Sequence, residues 1–247
     1  MMPAAAHLDV AGRQIAYRLR DEGEPTLVFF PGYASDMEGT KALALDSFAA
    51  QRGLSMLRFD YSGTGSSGGR FDDGTLALWL EDSLAAIDRL TGGPLILAGS
   101  SMGGWIALHV ALLRRERVRA LVGIAAAPDF TDWGFTPEQK AGLKTHGRIE
   151  EPNPYGPEPQ VFTRAFWESG QQLRLLESGV AIDRPVRLIH GDQDEEVPLD
   201  IAFRTMRALR SADVQLNVIK GGGHRLSAPH EIAAILRTVE ALVEPAS

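Results

Sequence analysis

A serine with the spacing of a nucleophile lies near the middle of the chain. The run Leu95-Ile-Leu-Ala-Gly-Ser-Ser-Met-Gly-Gly-Trp105 centres Ser101 in a Gly-x-Ser-x-Gly motif, with Gly99 and Gly103 two residues to either side. An apolar run precedes the motif and a helix-like run follows it, the order in which a tight turn lifts a serine hydroxyl out of the backbone. Such a crowded turn leaves no space for side chains at the two glycines. Ser101 is therefore the candidate nucleophile, whereas Ser100 lacks the flanking glycines.

A serine hydroxyl attacks a carbonyl group only when a base removes its proton, and histidine is the commonest base. Of the six histidines, His224 follows an apolar run and precedes the last helical pattern, so it is predicted in a loop at a strand end. His190 and His109 are interpreted as packing residues. The remaining three are predicted on the surface: His7, His146 and His230. His224 is the candidate base.

The base in turn needs a carboxylate that fixes its tautomer and stabilises its charged form. Asp192 and Asp194 both follow the apolar run that ends at His190, and Asp129 follows the preceding apolar run. Asp194 lies farther from the strand and is freer to reach across. The spacing places Asp194 ahead and leaves the other two open.

Attack on a carbonyl also places negative charge on its oxygen, and backbone N–H donors aimed at that oxygen are worth about 10² to 10³ in rate. Met102, directly after the candidate nucleophile, supplies one such N–H group. The loop Pro31-Gly-Tyr33 follows an apolar run and supplies a second from Tyr33. The alternative interpretation of this loop is a plain Pro-Gly turn.

The elements that position these residues alternate between strand-like and helix-like segments. Apolar runs predict strands over 26–30, 55–59, 95–98, 118–124, 186–190 and 214–219, after an N-terminal hairpin over 8–19. Apolar stripes and proline starts predict helices over 41–51, 75–90, after 198 and from 229. The alternation predicts an α/β fold whose mostly parallel central sheet carries helices on both faces. Ligands in such folds bind beyond the carboxyl ends of the strands.

The alternation breaks down over residues 129–183, where prolines are interleaved with aromatic residues. Loop-rich segments of this length are usually functional or disordered, and the aromatic content argues against disorder. We predict a core formed by residues 1–128 and 184–247. Residues 129–183 are predicted to form a small cap insertion over the site, within a single domain overall.

Composition excludes several other classes of protein. The 247 residues are 44% hydrophobic and carry a net charge of -7, which argues against nucleic acid as a partner. The sequence has no cysteine, so disulfides and thiolate metal sites are excluded. Neither a secretory signal nor a run of about 18 apolar residues occurs. We predict a soluble cytoplasmic protein without a membrane span.

Together these motifs resemble those of the α/β-hydrolase superfamily over nearly the whole chain. Phe30-Pro-Gly-Tyr33 is similar to the oxyanion strand end of that family, with Pro31 in place of the usual histidine. Asp60-Tyr-Ser-Gly-Thr-Gly-Ser-Ser67 is similar to its Asp-x-x-Gly-x-Gly-x-Ser loop. His190-Gly-Asp-Gln-Asp194 and Val197-Pro198 match its acid segment. By this resemblance Asp194 is selected over Asp192.

Residues 31–43, 59–67 and 99–105 resemble, within that superfamily, the mitochondrial palmitoyl-protein thioesterases that also cleave acyl-glucuronides. The resemblance implies a serine hydrolase that cleaves carboxylic esters or thioesters, of the acyl-thioester or acyl-glucuronide type, through an acyl-enzyme. It implies a small-molecule or acylated substrate, no cofactor and no metal. Arg148 and Arg164 are the candidates for pairing with a glucuronide carboxylate.

Two alternatives stay open. One is a peptidase of the same fold, in which a carboxylate of the predicted cap, Glu150, Glu151 or Glu168, holds the substrate amine. The other is a ligand-binding receptor that keeps the fold without turnover.

Overall fold

The structure is a computed structural model and describes residues 5–154 and 156–243. The outermost residues of the predicted core, 1–4 and 244–247, lie outside the described residues, as does Tyr155 of the predicted cap. The ten strands are β1 (Ala6–Val10), β2 (Arg13–Arg20), β3 (Thr26–Phe30), β4 (Met56–Phe59), β5 (Leu95–Ser100), β6 (Val118–Ile124), β7 (Arg148–Glu151), β8 (Gln160–Thr163), β9 (Val186–Gly191) and β10 (Val214–Ile219).

Eight of these strands form one sheet in the order β1-β2-β4-β3-β5-β6-β9-β10. The strands from β4 to β10 in this order pair in parallel, whereas β1 pairs antiparallel with β2 and β2 pairs antiparallel with β4. The antiparallel β1–β2 hairpin lies at one edge of the sheet, as predicted. The mostly parallel sheet confirms the predicted fold class.

Helices cover both faces of the sheet. Within the described residues, the α-helices are α1 (Thr40–Arg52), α2 (Leu76–Leu90), α3 (Met102–Leu113), α4 (Phe130–Trp133), α5 (Pro137–His146), α6 (Arg164–Gln172), α7 (Leu199–Ala208) and α8 (Pro229–Val243). Leu27 and Phe29 of β3 pack in a core with residues of α1 and α8, whereas Val28 and Phe30 pack in a second core with residues of α2 and α3. Because successive side chains of a strand point to opposite faces, a strand buried on both faces is apolar throughout.

Residues 129–183, here called the insertion segment, are more regular than the sequence pattern suggests. They contain α4, α5, α6 and a separate antiparallel sheet of β7 and β8. Pro137 begins α5 instead of breaking it, and Thr136 and Gln139 form a capping box at its N-terminus. Proline is tolerated in the first helical turn because its missing N–H has no partner there. The prolines of this segment therefore mark element starts as well as loops.

Candidate active site

Ser101 lies in a strained turn between β5 and α3. Its φ of 54° and ψ of -123° are rare for a residue with a side chain. A Cβ at Gly99 would lie 2.3 Å from the Gly103 carbonyl oxygen, and one at Gly103 would lie 2.1 Å from the Phe30 carbonyl oxygen. The backbone thus passes so closely on both sides of Ser101 that only glycine fits, as the motif predicts.

His224 lies between Ser101 and Asp194. Its Nε2 is 3.0 Å from Ser101 Oγ, and its Nδ1 is 2.9 Å from Asp194 Oδ2. An ionised carboxylate can only accept hydrogen bonds, so Nδ1 carries the proton and Nε2 is left to accept from the serine hydroxyl. The structure therefore brings together the three residues predicted as nucleophile, base and acid, in the order expected for proton transfer.

Asp194 is held ionised in a buried position. Its side chain has 0% exposure, and Oδ1 accepts the backbone N–H groups of Glu196 and Val197 at 3.0 and 2.9 Å. Burial acts to raise the pKa of Asp194, but the hydrogen bond and charge of His224 outweigh it, so the pKa lies below its ordinary value. The Asp194 carboxylate is therefore negatively charged and can stabilise the protonated imidazole of His224.

The two alternative acids have other partners. Asp192 is exposed, and its Oδ1 accepts the backbone N–H of Gly221 at 2.6 Å. Asp129 is buried and accepts the backbone N–H groups of Leu175 and Leu176 at 2.8 Å each. Asp192 therefore joins two loops, while Asp129 joins the start of the insertion segment to its C-terminal part.

The two predicted oxyanion donors lie on either side of Ser101. Met102 is the first residue of α3, and the loop of Tyr33 passes Ser101 so closely that a Cβ at Gly32 would lie 3.4 Å from Ser101 Cβ. Among the described residues, neither the Tyr33 nor the Met102 backbone N–H donates to a protein acceptor. Both N–H groups are thus available to a carbonyl oxygen attacked by Ser101.

A cavity of about 520 Å³ opens at Ser101, in the size range of small-molecule sites. Its apolar lining residues, called the apolar wall below, are Tyr33, Phe130, Trp133, Phe135, Phe162 and Val197. Its polar lining residues include Lys41, Gln139, Glu151, Gln160, Glu196 and Arg225. The cavity lining therefore combines apolar surface with charged and polar groups.

The charged residues of this lining differ from those predicted. Arg148 and Arg164 lie at a separate, shallow surface depression, where Arg148 pairs with Glu150 and Arg164 Nε donates to the Leu143 carbonyl at 3.1 Å. The prediction that they meet a substrate carboxylate at the serine is therefore wrong. Lys41 and Arg225 are the cations of the lining, and Glu151 alone of the three peptidase candidates belongs to it.

Two residues of the site were not singled out from the sequence. His190 is buried as predicted for a packing residue, but its Nε2 also lies 3.4 Å from Asp194 Oδ2 and 2.8 Å from the Val197 carbonyl oxygen. Lys41 Nζ donates to the carbonyl of Arg225, next to His224. A cation in the first turn of a helix opposes the helix dipole, which is the signal in the sequence that could have identified Lys41.

The described residues contain no cluster of three or more His, Cys, Asp or Glu arranged to hold a metal ion. Over residues 5–154 and 156–243, no helix combines the length and apolar character needed to cross a bilayer.

Comparison with known proteins agrees with this architecture. Residues 27–235 match the alpha/beta hydrolase family. The human palmitoyl-protein thioesterase ABHD10, mitochondrial, is 37% identical over 237 residues, which cover 94% of this chain and 78% of the relative. The mouse counterpart is 36% identical over 94% of this chain and 80% of its own length.

Solved structures show the same similarity. Mouse alpha/beta hydrolase domain-containing protein 10 superposes with a TM-score of 0.91 at 33% identity, covering 98% of each chain. A crystal structure from Agrobacterium vitis S4 gives the same TM-score at 39% identity, also covering 98% of each chain.

These relatives contradict the predicted cytoplasmic location, because the thioesterases that match most of the chain are named as mitochondrial. That prediction rested on the absence of a secretory signal and of an apolar span, and neither absence distinguishes the cytoplasm from other compartments. The predicted activity is confirmed at the level of the bond cleaved, since the chain is an ester or thioester hydrolase. The chain belongs to the alpha/beta hydrolase family.

Proposed function

We propose that the chain hydrolyses acyl thioesters with Ser101, His224 and Asp194 as a catalytic triad and the Tyr33 and Met102 N–H groups as the oxyanion hole. The observation that carries the proposal is the chain of hydrogen bonds from Ser101 Oγ to His224 and from His224 to Asp194, at 3.0 and 2.9 Å. The relatives named palmitoyl-protein thioesterases support the substrate class.

In the first half of the reaction, Ser101 Oγ attacks the acyl carbonyl carbon while His224 Nε2 takes its proton. The carbonyl π electrons move to the oxygen, whose negative charge the two N–H groups stabilise. Asp194 stabilises the imidazolium that forms on His224. When the carbonyl re-forms, the bond to sulfur breaks and the proton on His224 passes to the thiolate, leaving Ser101 acylated.

In the second half, water attacks the acyl-enzyme while His224 removes its proton. The new oxyanion collapses, the bond to Ser101 Oγ breaks, and His224 returns a proton to the serine as the free acid leaves. A thiol has a pKa of about 8.5, far below that of an alcohol, so its thiolate departs more readily than an alkoxide. Thioesters are therefore the substrates whose leaving group depends least on protonation by His224.

The apolar wall supports a fatty acyl group, with the insertion segment acting as a cap. Each methylene buried against the aromatic rings contributes about 0.8 kcal/mol, close to a fourfold gain in kcat/KM, until the wall is filled. A series of acyl thioesters of rising chain length measures this gain, with acyl-glucuronides as the oxyester comparison. A kcat/KM that does not change with chain length would contradict the assignment of the wall.

Two substitutions test the nucleophile. Ser101→Ala is expected to abolish labelling by a fluorophosphonate probe and to lower kcat by about 10⁶-fold, the loss typical of removing a triad serine. Ser100→Ala is the matched control, because Ser100 lines the same cavity but does not occupy the strained turn in which Ser101 lies. Hydrolysis and labelling that persist in Ser101→Ala at an unchanged melting temperature would refute the proposal.

A peptidase of the same fold is the second candidate, and the position of Glu151 on the cavity lining is the observation that favours it. A carboxylate there could hold a substrate amine. Turnover of aminoacyl p-nitroanilides, compared with turnover of p-nitrophenyl esters in wild type and Glu151→Gln, separates the two. Peptidase activity that depends on Glu151 would replace the thioesterase proposal.

A further inference from the structure

Tyr33 joins the candidate oxyanion hole to the insertion segment. Its loop passes beside Ser101, while its side chain contacts the insertion segment. The phenol hydroxyl donates to the Val161 carbonyl of β8 at 2.5 Å, and the ring stacks on Phe162 with a centroid distance of 4.8 Å. The Phe166 ring of α6 lies 4.9 Å from it. One residue thus lies beside Ser101 and contacts residues of the apolar wall.

The hydroxyl is a donor that does not titrate in the working range. Burial raises the pKa of Tyr33, and the nearby charge of Asp72 raises it further. The phenol therefore keeps its proton, and with it the hydrogen bond to Val161.

Two hydrogen bonds hold the backbone of the Tyr33 loop from the core side. Tyr61, which is fully buried, donates to the Pro31 carbonyl at 3.1 Å. Ser35 N–H donates to the Gly32 carbonyl at 3.2 Å and closes a tight turn around Tyr33. These contacts fix the loop on either side of Tyr33, whereas the contacts of its own side chain are with the insertion segment, Phe71 and Trp79. The backbone beside Tyr33 is therefore held from the core, while its hydroxyl and one face of its ring are held by β8.

We propose that Tyr33 is a positioning residue that converts binding of the acyl chain into correct placement of an oxyanion donor. The proposal rests on the proposed function. An acyl chain that packs against Phe162 and its neighbours fixes β8, β8 fixes the Tyr33 ring, and the ring adds a constraint on the Tyr33 N–H to those that the core supplies. Binding energy far from the reacting bond is then used to stabilise the transition state, so chain length raises kcat as well as lowering KM.

Tyr33→Phe tests this coupling, because it removes the hydrogen bond to Val161 and keeps the aromatic ring. We expect kcat for a long-chain thioester to fall about tenfold, the equivalent of one hydrogen bond. We also expect the dependence of kcat on chain length to disappear, while the dependence of KM on chain length remains. A role in stability alone would change neither pattern at a temperature where the variant is folded.

Ser169→Ala is the matched control. Ser169 of α6 accepts the Ala77 N–H of α2 at 3.0 Å, so the variant also removes one hydrogen bond between the insertion segment and the core, but away from Tyr33. It is expected to keep the chain-length dependence of kcat. Phe162→Leu provides a second test, since it removes the stacked ring without altering the Val161 carbonyl. It is expected to abolish the chain-length dependence of kcat as Tyr33→Phe does, and also to raise KM because Phe162 lines the cavity.

A kcat that still rises with chain length in Tyr33→Phe and in Phe162→Leu would overturn the proposal. An equal loss of that dependence in Ser169→Ala would also overturn it, because general loosening of the insertion segment would then suffice. Failure of the proposed function is distinguishable, since it appears as fluorophosphonate labelling and hydrolysis that survive Ser101→Ala.

Discussion

Replacing Gly103 with alanine is the sharpest test of the geometry around Ser101. A Cβ at this position would lie 2.1 Å from the Phe30 carbonyl oxygen and 2.4 Å from the Pro31 carbonyl oxygen. Both are backbone atoms at the end of β3, so no flexible side chain can move aside. Real Cβ atoms essentially never approach another heavy atom within 3.0 Å, so α3 or the loop must move by about 1 Å in this close-packed region.

The movement has two costs. Overpacking of this kind lowers the free energy of unfolding by about 1–3 kcal/mol. For a chain of this size, that corresponds to a melting temperature lower by about 2–12 °C. Because the loop carries Tyr33 and the helix carries Met102, the same movement separates the two proposed oxyanion donors. A misplacement of about 1 Å in a catalytic site lowers the rate by about 10²-fold.

The assay measures the melting temperature and then kcat for each site labelled by the fluorophosphonate probe, so that loss of folded protein does not count as loss of rate. Gly92→Ala is the control, because a Cβ there meets nothing within 4 Å and its φ is not in the left-handed region. It is expected to match wild type in both measurements. A Gly103→Ala enzyme with wild-type stability would refute the crowding argument, and lower stability with an unchanged kcat would refute the link to the oxyanion donors.

Two further predictions concern charged groups. Asp194→Asn is expected to lower kcat by about 10⁴-fold, because His224 would then be held in the wrong tautomer. Asp192→Asn changes only a loop contact and is expected to keep most activity. The reverse ranking in steady-state kinetics would assign the role of the acid to Asp192. Burial, aided by the charge of Arg225, lowers the pKa of Lys41 from 10.5 to about 8, although the charge of Glu231 opposes this shift. Between these two pH values the unfolded chain binds more protons at Lys41 than the folded chain does. The contribution of Lys41 to the free energy of unfolding should therefore increase as pH rises from 8 to 10.5. Denaturant unfolding of wild type and Lys41→Met across that range measures the gain, and parallel curves would show that Lys41 titrates normally.

The parts of the fold that the sequence predicted are those where burial dictates residue type. The predicted strands at Thr26–Phe30 and Val118–Ile124 coincide with β3 and β6, and the last helix begins at Pro229 as expected. Strands buried between two helix layers must be apolar at nearly every position, so their ends are visible where the polar residues begin. Helix starts marked by proline are visible for the same kind of local reason.

The choice among the acids required information that spacing does not contain. Asp192 and Asp194 are two residues apart in one loop, and both could reach a histidine from the end of β9. The structure separates them through the loop conformation: Asp194 Oδ1 accepts the Glu196 and Val197 N–H groups and so turns Oδ2 toward His224. Those backbone contacts depend on the path of the loop, which the sequence pattern does not specify.

The insertion segment shows where local pattern stops being informative. Arg148 belongs to β7 and Arg164 begins α6, and both line a depression separate from the cavity at Ser101. The cations that line the cavity, Lys41 and Arg225, come from α1 and from the loop after β10. Charge type alone therefore does not predict which cations reach the cavity, because the fold decides which elements border it.

The proposed reacting groups and the proposed acyl-binding residues lie mostly in different parts of the fold, which bears on how such a chain can change its substrate. The proposed reacting groups follow the ends of β5, β9 and β10 in the large sheet. Most of the apolar wall, namely Phe130, Trp133, Phe135 and Phe162, belongs to the insertion segment, which contributes no strand to that sheet. Tyr33 is the exception, since its N–H belongs to the first group and its side chain to the second. Changes in the insertion segment that disturb Tyr33 should therefore alter kcat, whereas changes elsewhere on the wall should alter KM alone.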